Sequence, residues 1–467
     1  MATFLELVDA DPSRGELPAH VRGELERFLK CGVLAHGFAR VRCPVCKDDL
    51  LVAFSCKGRG VCPSCGGRRM ADTAARWVDR VLPEVPWRQW VLTVPTPLRL
   101  SMAWDPVLLT EVLTIFQRAI AVQLRLLARR KGYRVGGGRH ASVSTVQRFG
   151  SALNLNVHIH SLVAEGVWLG GESGPPVFVP VCVRDADVVA VLRRVERRVF
   201  ALMVESGLLG NDDDEYVPAA PEVEPDRQLE LGLLQASASM RIATGPRAGR
   251  PVRRVGSRSL SRRDDAGERR RPMQARFSGF DLHARVRVAK GQRRRLEKLG
   301  RYLLRPAICM ERLQLREDGL YQYDFKRPWS DGTTGIALEP LELMEKLAAL
   351  IPIPRANLVR YHGILAPAAA WRSAVVPRPI GEDESCPHVP PGGFAPVDRV
   401  PWAQLLRRVF LVDVLRCARC GGRRELIAQV TDPNAIRAIL GHLGLDPDDF
   451  GPVPARAPPG LDIDWAS

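Results

Sequence analysis

The sequence predicts an α+β fold in which an antiparallel sheet carries helices on its faces. Residues 142–149 and 153–163 are apolar runs with the alternation of strands, and Gly150 between them favours the turn of a β-hairpin. Residues 105–130 and 185–207 have apolar side chains at spacings of three and four, which is typical of amphipathic helices. Further strands are predicted at 87–95, 277–291 and 320–328, and further helices at 17–30, 292–306 and 340–350.

The length and composition favour a large folded protein that binds a polyanion. The chain has 467 residues, of which 46% are apolar, so it can fill at least one substantial core. Lys and Arg number 68 against 52 Asp and Glu, and the formal charge of +16 favours nucleic acid as the partner. The sequence contains neither a long uninterrupted apolar run nor a secretory signal pattern. We therefore expect a cytoplasmic protein with no membrane partner.

The composition changes abruptly after residue 210. Residues 211–226 are acidic and Pro-rich, whereas residues 241–276 carry twelve arginines and no lysine against three carboxylates. This segment has almost no apolar periodicity, so it cannot bury enough surface to offset the entropy lost on ordering. The pattern predicts a flexible Arg-rich insert over about 211–276, either a solvated linker, which is the simpler interpretation, or an arm that follows phosphates.

Six of the eleven cysteines form three C-x-x-C pairs, a spacing that presents two thiolates from one tight turn. Fifteen residues separate the pair Cys43 and Cys46 from the pair Cys62 and Cys65, which matches the pattern of a four-cysteine zinc site. Four thiolates fill the tetrahedral coordination of Zn²⁺ and leave no position for chemistry. We therefore predict a structural zinc ribbon over residues 15–75, with reduced free thiols as the alternative.

Other cysteines have no obvious zinc partners in the sequence. We interpret Cys31 and Cys56 as residues outside the zinc site that could pack in the core. Cys417 and Cys420 form a third knuckle near the C-terminus, where free thiols are the default interpretation. The alternative partners for that knuckle, across a Pro-rich linker, are Cys386 and His388.

Basic side chains surround the predicted zinc ribbon. Because the net charge favours nucleic acid as the partner, we expect them to contact phosphates of DNA. These residues are Lys57, Arg59, Arg68 and Arg69.

Two histidines, His158 and His160, interrupt an otherwise apolar strand. Because side chains alternate along a strand, these two lie on the same face as Asn154 and Asn156, opposite the apolar residues. Their backbones would be about 7 Å apart, close enough for both imidazoles to contact one cation. A lone histidine here would most often be structural, but two at this spacing make a metal site an equal alternative.

The histidine strand has the form His-hydrophobic-His, which resembles the signature of the HUH endonucleases. Four longer stretches resemble the rolling-circle transposases of insertion sequences, in the IS91 and common-region group, and the zinc and nuclease motifs stand in that family's order. These stretches are RCPVCKDDLLVAFSCKGRGVCPSCGGRRMAD, VQRFGSALNLNVHIH, RPWSDGTTGIALEPLELMEKLAALIP and RYHGILAPAAAWRS. The resemblance covers about residues 20–375 and is weaker near the C-terminus.

In that family the histidine pair binds Mg²⁺ or Mn²⁺, and a tyrosine attacks a phosphate of single-stranded DNA. The resemblance implies that His158 and His160 hold the divalent cation. Because Mg²⁺ prefers oxygen, an oxygen ligand is expected beside the imidazoles. Gln147 on the neighbouring strand is the candidate, with His283 in reserve.

The resemblance also implies that Tyr302 is the nucleophile, because it lies in the motif GRYLLRP on a predicted amphipathic helix. Without the resemblance, an aromatic residue that only packs this helix would be the simpler interpretation. Lys298 occupies the position, four residues earlier, where two-tyrosine members of the wider class carry a second tyrosine. We therefore predict a single-tyrosine enzyme in which Lys298 favours the phenolate or the phosphate.

Together these features predict a bacterial transposase that nicks and rejoins single-stranded DNA at the ends of an insertion element through a 5′-phosphotyrosine. It would act in the cytoplasm, associated with the nucleoid. Two alternatives stay open: a non-catalytic zinc-ribbon DNA-binding protein, and a plasmid replication initiator or relaxase with the same chemistry. The predicted divisions of the chain are the zinc ribbon, 15–75, the HUH nuclease domain, 76–375, the linker, 376–400, and a small C-terminal unit, 401–467.

Overall fold

The structure, a computed structural model, describes residues 1–10, 16–170, 174–209, 227–256, 271–377 and 413–445, together with Ala403, Leu406 and Arg407. The helices are α1 (Ala2–Asp9), α2 (Ala19–Leu29), α3 (Pro63–Arg76), α4 (Thr96–Trp104), α5 (Pro106–Arg130), α6 (Asp185–Glu205), α7 (Gln228–Ala238), α8 (Arg293–Leu303), α9 (Pro340–Leu350), α10 (Arg372–Val375) and α11 (Pro433–His442). The strands are β1 (Phe38–Arg42), β2 (Asp49–Ala53), β3 (Trp87–Thr93), β4 (Ala141–Phe149), β5 (Leu155–Ala164), β6 (Gly166–Leu169), β7 (Val177–Pro180), β8 (Arg253–Val255), β9 (Gln274–Phe277), β10 (Phe280–His283), β11 (Arg287–Val288), β12 (Leu313–Leu315), β13 (Tyr321–Asp324), β14 (Gly335–Leu338), β15 (Val359–Gly363) and β16 (Glu425–Val430).

The central sheet confirms the predicted α+β class. Its strands follow the order β15, β4, β5, β3, β10 and β9, with β11 paired to β3, and every neighbouring pair in it is antiparallel. β4 and β5 form the predicted hairpin, in which Gln147 stands opposite His158 and Thr145 opposite His160. The histidine strand therefore lies inside the sheet, with a hydrogen-bonded neighbour on each side.

Different helices cover the two faces of this sheet. Trp90 and Ile159 belong to a core that also contains buried residues of α4, α5, α6 and α7. Leu162 of β5 belongs to a second core, on the opposite face, together with Leu299 of α8. Because side chains alternate along β5, the two histidines lie on the same face as Leu162, which α8 covers.

α5 is, among the described helices, the one long and apolar enough to span a membrane. Of its apolar stretch, 56% is buried inside the protein. Its apolar residues pack against the sheet and against α6, as in the core helix of a globular protein. Packing therefore accounts for the composition of α5.

The prediction of a flexible insert over 211–276 is wrong for residues 227–256 and 271–276, which are folded, whereas residues 211–226 and 257–270 lie outside the described residues. α7 packs against β5 and α9, and β8 joins a second sheet of order β12, β13, β14 and β8. The arginines here pair with carboxylates: both Arg247 and Arg253 contact Glu342 at the start of α9. The composition of the segment shows its arginines but cannot show these partners, which lie about ninety residues later in the chain.

The prediction of a single strand over 277–291 is also wrong. β9 ends at Phe277, a turn follows, and β10 begins at Phe280. Ser278 and Gly279 in this turn have φ values of +50° and +74°, which extended strands do not adopt. The resulting hairpin pairs β10 with β3, next to the histidine strand.

The segment that carries β1 and β2 and the segment that carries β16 share a three-stranded sheet of order β16, β1 and β2. Phe38 in the middle strand stands opposite Val430 on one side and Ala53 on the other. α11 contributes Ile436 and Leu440 to a small core around Phe38. The division into domains stays a prediction, but the predicted C-terminal unit and zinc ribbon are joined in one sheet.

Candidate active site and zinc sites

His158 and His160 are neighbours on β5, with their ring centroids 4.8 Å apart. The two side chains differ in exposure, since His160 is buried, at 3% exposed, and His158 is half-buried. His158 lines a cleft of about 560 Å³ on the face of the sheet that α8 covers. The ring of His158 therefore lines the cleft, and the ring of His160 is buried next to it.

The hydrogen bonds of the two rings decide which nitrogen of each can bind a cation. His158 Nδ1 lies 2.8 Å from the carbonyl oxygen of Asn156, and since a carbonyl only accepts, this nitrogen carries the proton. The Nε2 of His158 then has a lone pair. Gln89 Nε2 lies 2.9 Å from His160 Nδ1 and donates to it, which puts the ring proton on Nε2. With the Gln89 amide turned by 180°, its oxygen accepts a proton from Nδ1 instead, and Nε2 then has the lone pair that a cation needs. His160 Nε2 is buried and has no hydrogen-bond partner among the described residues.

Both rings are in the neutral form that metal ions require. Burial lowers the pKa of His158 to about 4 and lowers the pKa of His160 well below its ordinary value of 6.5. The positive charge of Arg305 lowers the pKa of both imidazoles further. At neutral pH neither ring carries the second proton of an imidazolium.

We expect the protein to lose stability as the pH falls from about 6.5 to about 4. Burial also lowers the pKa of His140 and of His362 to about 4. The same histidines in the unfolded chain have a pKa of about 6.5, so between these values the unfolded state binds more protons and the free energy of unfolding falls. The loss is up to about 3 kcal/mol per histidine. Urea unfolding at pH 7, 5.5 and 4.5 measures it, and the His362→Asn variant should show a smaller drop. An equal drop in the variant contradicts this account.

Buried acceptors without partners lie on the same face as the histidine pair. The amide nitrogen of Gln147 donates to the carbonyl oxygens of Leu303 at 2.8 Å and Tyr302 at 3.3 Å, at the end of α8. These two bonds fix the amide, so Oε1 is the atom left buried and unpartnered. The other buried unpartnered atoms on this face are Thr145 Oγ1, Asn156 Oδ1 and His160 Nε2.

These unpartnered atoms fit a divalent cation. A buried acceptor without a donor is costly, and a cation bound between such acceptors removes that cost. Gln147 stands opposite His158 on the adjacent strand, so it stays the predicted oxygen ligand. His283 is two strands away from His160, with Val91 between them, a backbone separation of about 10 Å. His283 is therefore the poorer of the two predicted third ligands.

α8 brings Tyr302 to the histidine pair. The ring centroid of Tyr302 lies 6.0 Å from that of His160, in an edge-to-face arrangement, and Tyr302 lines the same cleft. The helix packs closely on α3 because Gly300 has no side chain: a Cβ there would lie 3.3 Å from that of Ala74. Arg305 follows the helix, with Cζ 4.5 Å from the centre of the Tyr302 ring. The structure therefore places the predicted nucleophile beside the predicted metal ligands.

The predicted role of Lys298 does not fit the structure. On an α-helix Lys298 points about 40° away from Tyr302, and about 150° away from the stripe that α8 buries against the sheet. Lys298 is accordingly exposed, and it does not line the cleft. The cation that lies against the phenol ring is Arg305. Helical spacing could not predict this contact, because α8 ends at Leu303, before Arg305.

Tyr323 also lines the cleft, but its hydroxyl is already engaged. Tyr323 is 1% exposed, and its oxygen accepts hydrogen bonds from Arg312 at 2.8 Å and from the backbone N–H of Cys309 at 3.3 Å. Burial raises the pKa of this phenol, which disfavours the phenolate that a nucleophilic attack requires. Tyr302 is therefore the better placed of the two tyrosines in the cleft.

The cleft is strongly cationic. No carboxylate is found among the described residues that line it. A second cavity of about 310 Å³ adjoins it and shares Phe149, Arg305 and Pro306 with it. A surface of this charge binds a phosphate chain through the release of counterions. The cationic residues of the cleft are Arg271, Arg285, Arg305, Arg312, Lys326 and Arg327.

Two of the four basic residues predicted to contact DNA, Arg59 and Arg69, line the second cavity. Arg68 instead turns towards a cysteine, with Nη2 3.6 Å from Cys65 Sγ. Lys57 is exposed, and its carbonyl oxygen accepts a hydrogen bond from Arg69. A role in DNA binding stays a prediction for all four, and it is best supported for the two that line the cavity.

The prediction that Cys43, Cys46, Cys62 and Cys65 share one zinc site is wrong. The structure divides them between two clusters, in each of which the four Sγ atoms lie within 4.8 Å of one another. Sequence spacing shows which cysteines form a knuckle, but it does not show which knuckles meet. The first cluster contains Cys31, Cys56, Cys62 and Cys65, and the second contains Cys43, Cys46, Cys417 and Cys420.

The first cluster fits a structural zinc ion. Cys31 Sγ lies 3.6 Å from Cys62 Sγ and 3.8 Å from Cys65 Sγ, and Cys56 Sγ lies 3.4 Å from Cys65 Sγ. A tetrahedron with Zn–S bonds of about 2.3 Å has edges of about 3.8 Å between sulfur atoms. Cys62 is also the N-cap of α3, so this site is built into the helix that supports α8. The interpretation of Cys31 and Cys56 as residues outside the site is therefore wrong.

Comparison with known families identifies the class of protein. Residues 4–94 match the family described as "Transposase zinc-binding domain", and residues 142–373 match the family described as "Putative transposase". The first match contains the whole of the first cysteine cluster, and the second contains His158, His160 and Tyr302. The protein is thus a zinc-binding transposase. Within this class it belongs to the IS91 family of transposases. No curated protein and no solved structure matches the chain.

Proposed function

We propose that this transposase nicks and rejoins single-stranded DNA at the ends of its insertion element, with Tyr302 as the nucleophile. The observation that carries the proposal is the meeting of Tyr302 with His158 and His160 in one cationic cleft. The burial of His160 favours a single strand as the substrate, because an unpaired strand can bend its backbone into a cleft more readily than a duplex can.

A divalent cation, Mg²⁺ or Mn²⁺, would be held by Nε2 of His158, Nε2 of His160 and Oε1 of Gln147. When bound, it supplies Lewis-acid stabilisation of the charge that develops on the phosphate. The protein orients these ligands in advance: the carbonyl of Asn156 and the amide of Gln89 fix the two rings. The bonds from Gln147 to the end of α8 couple the ligand set to the helix that carries Tyr302.

The chemical step exchanges one phosphoester bond for another. Tyr302 Oη loses its proton and bonds to phosphorus, while the bond from phosphorus to the 3′-oxygen of the preceding nucleotide breaks. The 3′-oxygen leaves with the electron pair and takes up a proton. The products are a 5′-phosphotyrosine and a free 3′-hydroxyl, and the retained ester allows rejoining by the reverse attack. Arg305 is placed to stabilise negative charge on the phenolate and on the phosphate.

Two alternatives make different predictions. A non-catalytic zinc-ribbon protein would bind DNA and cleave none with any metal, whereas a replication initiator or relaxase would cleave plasmid sequences in place of element ends. The matches to transposase families favour transposition over both. We place the activity in the bacterial cytoplasm, on DNA of the nucleoid.

The test of the function is a covalent adduct. A single-stranded oligonucleotide that carries an element end, labelled at its 3′ end, is incubated with the protein and Mg²⁺ or Mn²⁺ and then denatured. The label should migrate with the protein, and Tyr302→Phe should lower adduct formation by about 10⁴-fold or more. Tyr133→Phe is the matched control, since Tyr133 is 45% exposed and does not line the cleft. An adduct that persists in Tyr302→Phe assigns the nucleophile elsewhere.

Replacing Arg305 by glutamine should slow adduct formation about 10²-fold, because the guanidinium lies against the nucleophile and its charge is lost where negative charge develops. Arg294→Gln is the control, since Arg294 is an exposed arginine on the same helix and does not line the cleft. Single-turnover rates at saturating DNA separate this effect from weaker binding. Equal rates for the two variants would show that Arg305 has no part in the step.

A further inference from the structure

We propose that the second cysteine cluster is a zinc site that fastens the C-terminal unit to the N-terminal domain. Its four ligands are Cys43, Cys46, Cys417 and Cys420. The family matches end at residue 373, before the second knuckle, so they assign no site that uses it. The proposal is independent of the DNA chemistry.

The sulfur atoms have the spacing of a tetrahedral site. Cys43 Sγ lies 3.5 Å from Cys420 Sγ, and Cys46 Sγ lies 3.5 Å from Cys417 Sγ. These separations approach the edge of about 3.8 Å expected for four thiolates around zinc, and they are far longer than the S–S bond of a disulfide, about 2.05 Å. Cys43 and Cys417 are buried, at 0% and 1% exposed, so a metal bound here would be shielded from water on that side.

The two knuckles adopt the same turn. In the first, the N–H of Lys47 donates to the carbonyl oxygen of Cys43 at 3.0 Å, and in the second the N–H of Gly421 donates to that of Cys417 at 2.9 Å. The residue after each C-x-x-C has a positive φ, +61° at Lys47 and +73° at Gly421. The two pairs of thiols are therefore presented by turns of the same geometry.

A partly buried ion pair lies beside the cluster. Four thiolates around Zn²⁺ carry a net charge of −2. Arg424, at 7% exposed, forms an ion pair with Asp48, and the same carboxylate oxygen lies 3.7 Å from Cys417 Sγ. A Cys417 thiol donates to Asp48, whereas a Cys417 thiolate around zinc does not, and the Arg424 guanidinium then balances the charge of the neighbouring Asp48 carboxylate.

The hydrophobic core that the two segments share is small. β16 pairs with β1, and Phe38, Val430, Ile436 and Leu440 make up the buried residues of the shared core. Units with so small a core are usually held by a disulfide or a metal. The cysteine cluster is the element of this junction that can supply such a link across more than 370 residues of chain.

Metal analysis of the full chain tests the site. The protein should contain two zinc ions per chain, and the double variant Cys417→Ser/Cys420→Ser should contain one. Cys182→Ser/Cys309→Ser, which changes two cysteines outside both clusters, is the control and should keep two. One zinc ion in the unaltered chain, or two in the Cys417→Ser/Cys420→Ser variant, overturns the proposal. Retention of one zinc by that variant also shows that the first cluster still folds.

A second measurement tests the fastening itself. A recognition site for a sequence-specific protease is inserted between residues 378 and 400 of the full chain, and the protein is cleaved there. The two pieces of the parent protein should co-elute in size-exclusion chromatography. The Cys417→Ser/Cys420→Ser variant should bind its C-terminal piece more weakly, so that the pieces separate at protein concentrations at least 100-fold higher than those at which the parent's pieces separate. Equal release from both proteins overturns the proposal. Neither outcome bears on the adduct assay, which reports a different site.

Discussion

Replacement of His160 by alanine is expected to lower the rate of single-strand cleavage about 10³-fold while DNA binding stays within a few-fold of the parent protein. His160 Nε2 is a buried unpartnered atom beside Tyr302, and its loss removes one ligand of the proposed cation. Lewis-acid stabilisation contributes several kcal/mol to such reactions, which corresponds to this change in rate. Single-turnover adduct formation over a range of Mn²⁺ concentrations measures it, and higher metal should rescue the variant only in part.

Two further variants keep this result interpretable. His160→Gln retains a polar side chain of similar volume, so it separates the loss of the imidazole from the opening of a cavity. His442→Ala, at an exposed histidine of α11, is the control for a histidine removed elsewhere. Cleavage at the parent rate by both His160→Ala and His160→Gln would rule out the imidazole as a ligand, since the glutamine oxygen alone could take its place.

Replacement of Cys62 by serine is expected to release the zinc of the first cluster, to lower the melting temperature by roughly 10 °C or more, and to slow cleavage. Cys62 begins α3, and α3 packs on the nucleophile helix where Gly300 meets Ala74. At the other end of the contact, a Cβ on Gly66 would lie 3.0 Å from that of Pro306. Loss of the metal is therefore expected to weaken the packing of α3 on α8, the helix that carries Tyr302, as well as the fold of the zinc ribbon.

Metal content, thermal unfolding and adduct formation check this prediction together. Cys182→Ser, at an exposed cysteine outside both clusters, is the control and should match the parent in all three. A Cys62→Ser protein that keeps its zinc, or that loses it without any change in cleavage, would contradict the coupling between the first cluster and α8.

The sequence was sufficient for the parts of the site that depend on local periodicity. Alternation along β5 puts both histidines on one face, and the three-and-four spacing of α8 gives its buried stripe. The predicted neighbouring strand carries Gln147, and the structure pairs it with His158 despite a bulge between Gln147 and Phe149. Each of these relations joins residues that are close in the chain or lie on one regular element.

The missed cysteine partners and the missed order in the Arg-rich segment depend on contacts between distant segments. The partners of Cys43 and Cys46 lie more than 370 residues later, and nothing in a C-x-x-C spacing selects one knuckle over another. Arg247 and Arg253 of the predicted insert pair with Glu342 of α9, which a local charge count cannot include. Arg305 approaches the phenol from beyond the end of α8, where the helical repeat no longer gives a direction.

The identity of the tyrosine that carries DNA tests the central claim most directly. The adduct with a single-stranded element end is digested with protease and nuclease, and the peptide that retains a nucleotide is sequenced by mass spectrometry. The nucleotide should be on Tyr302, attached through its 5′-phosphate. A nucleotide on Tyr323 or on any other residue, or the absence of an adduct with both Mg²⁺ and Mn²⁺, would contradict the proposed chemistry.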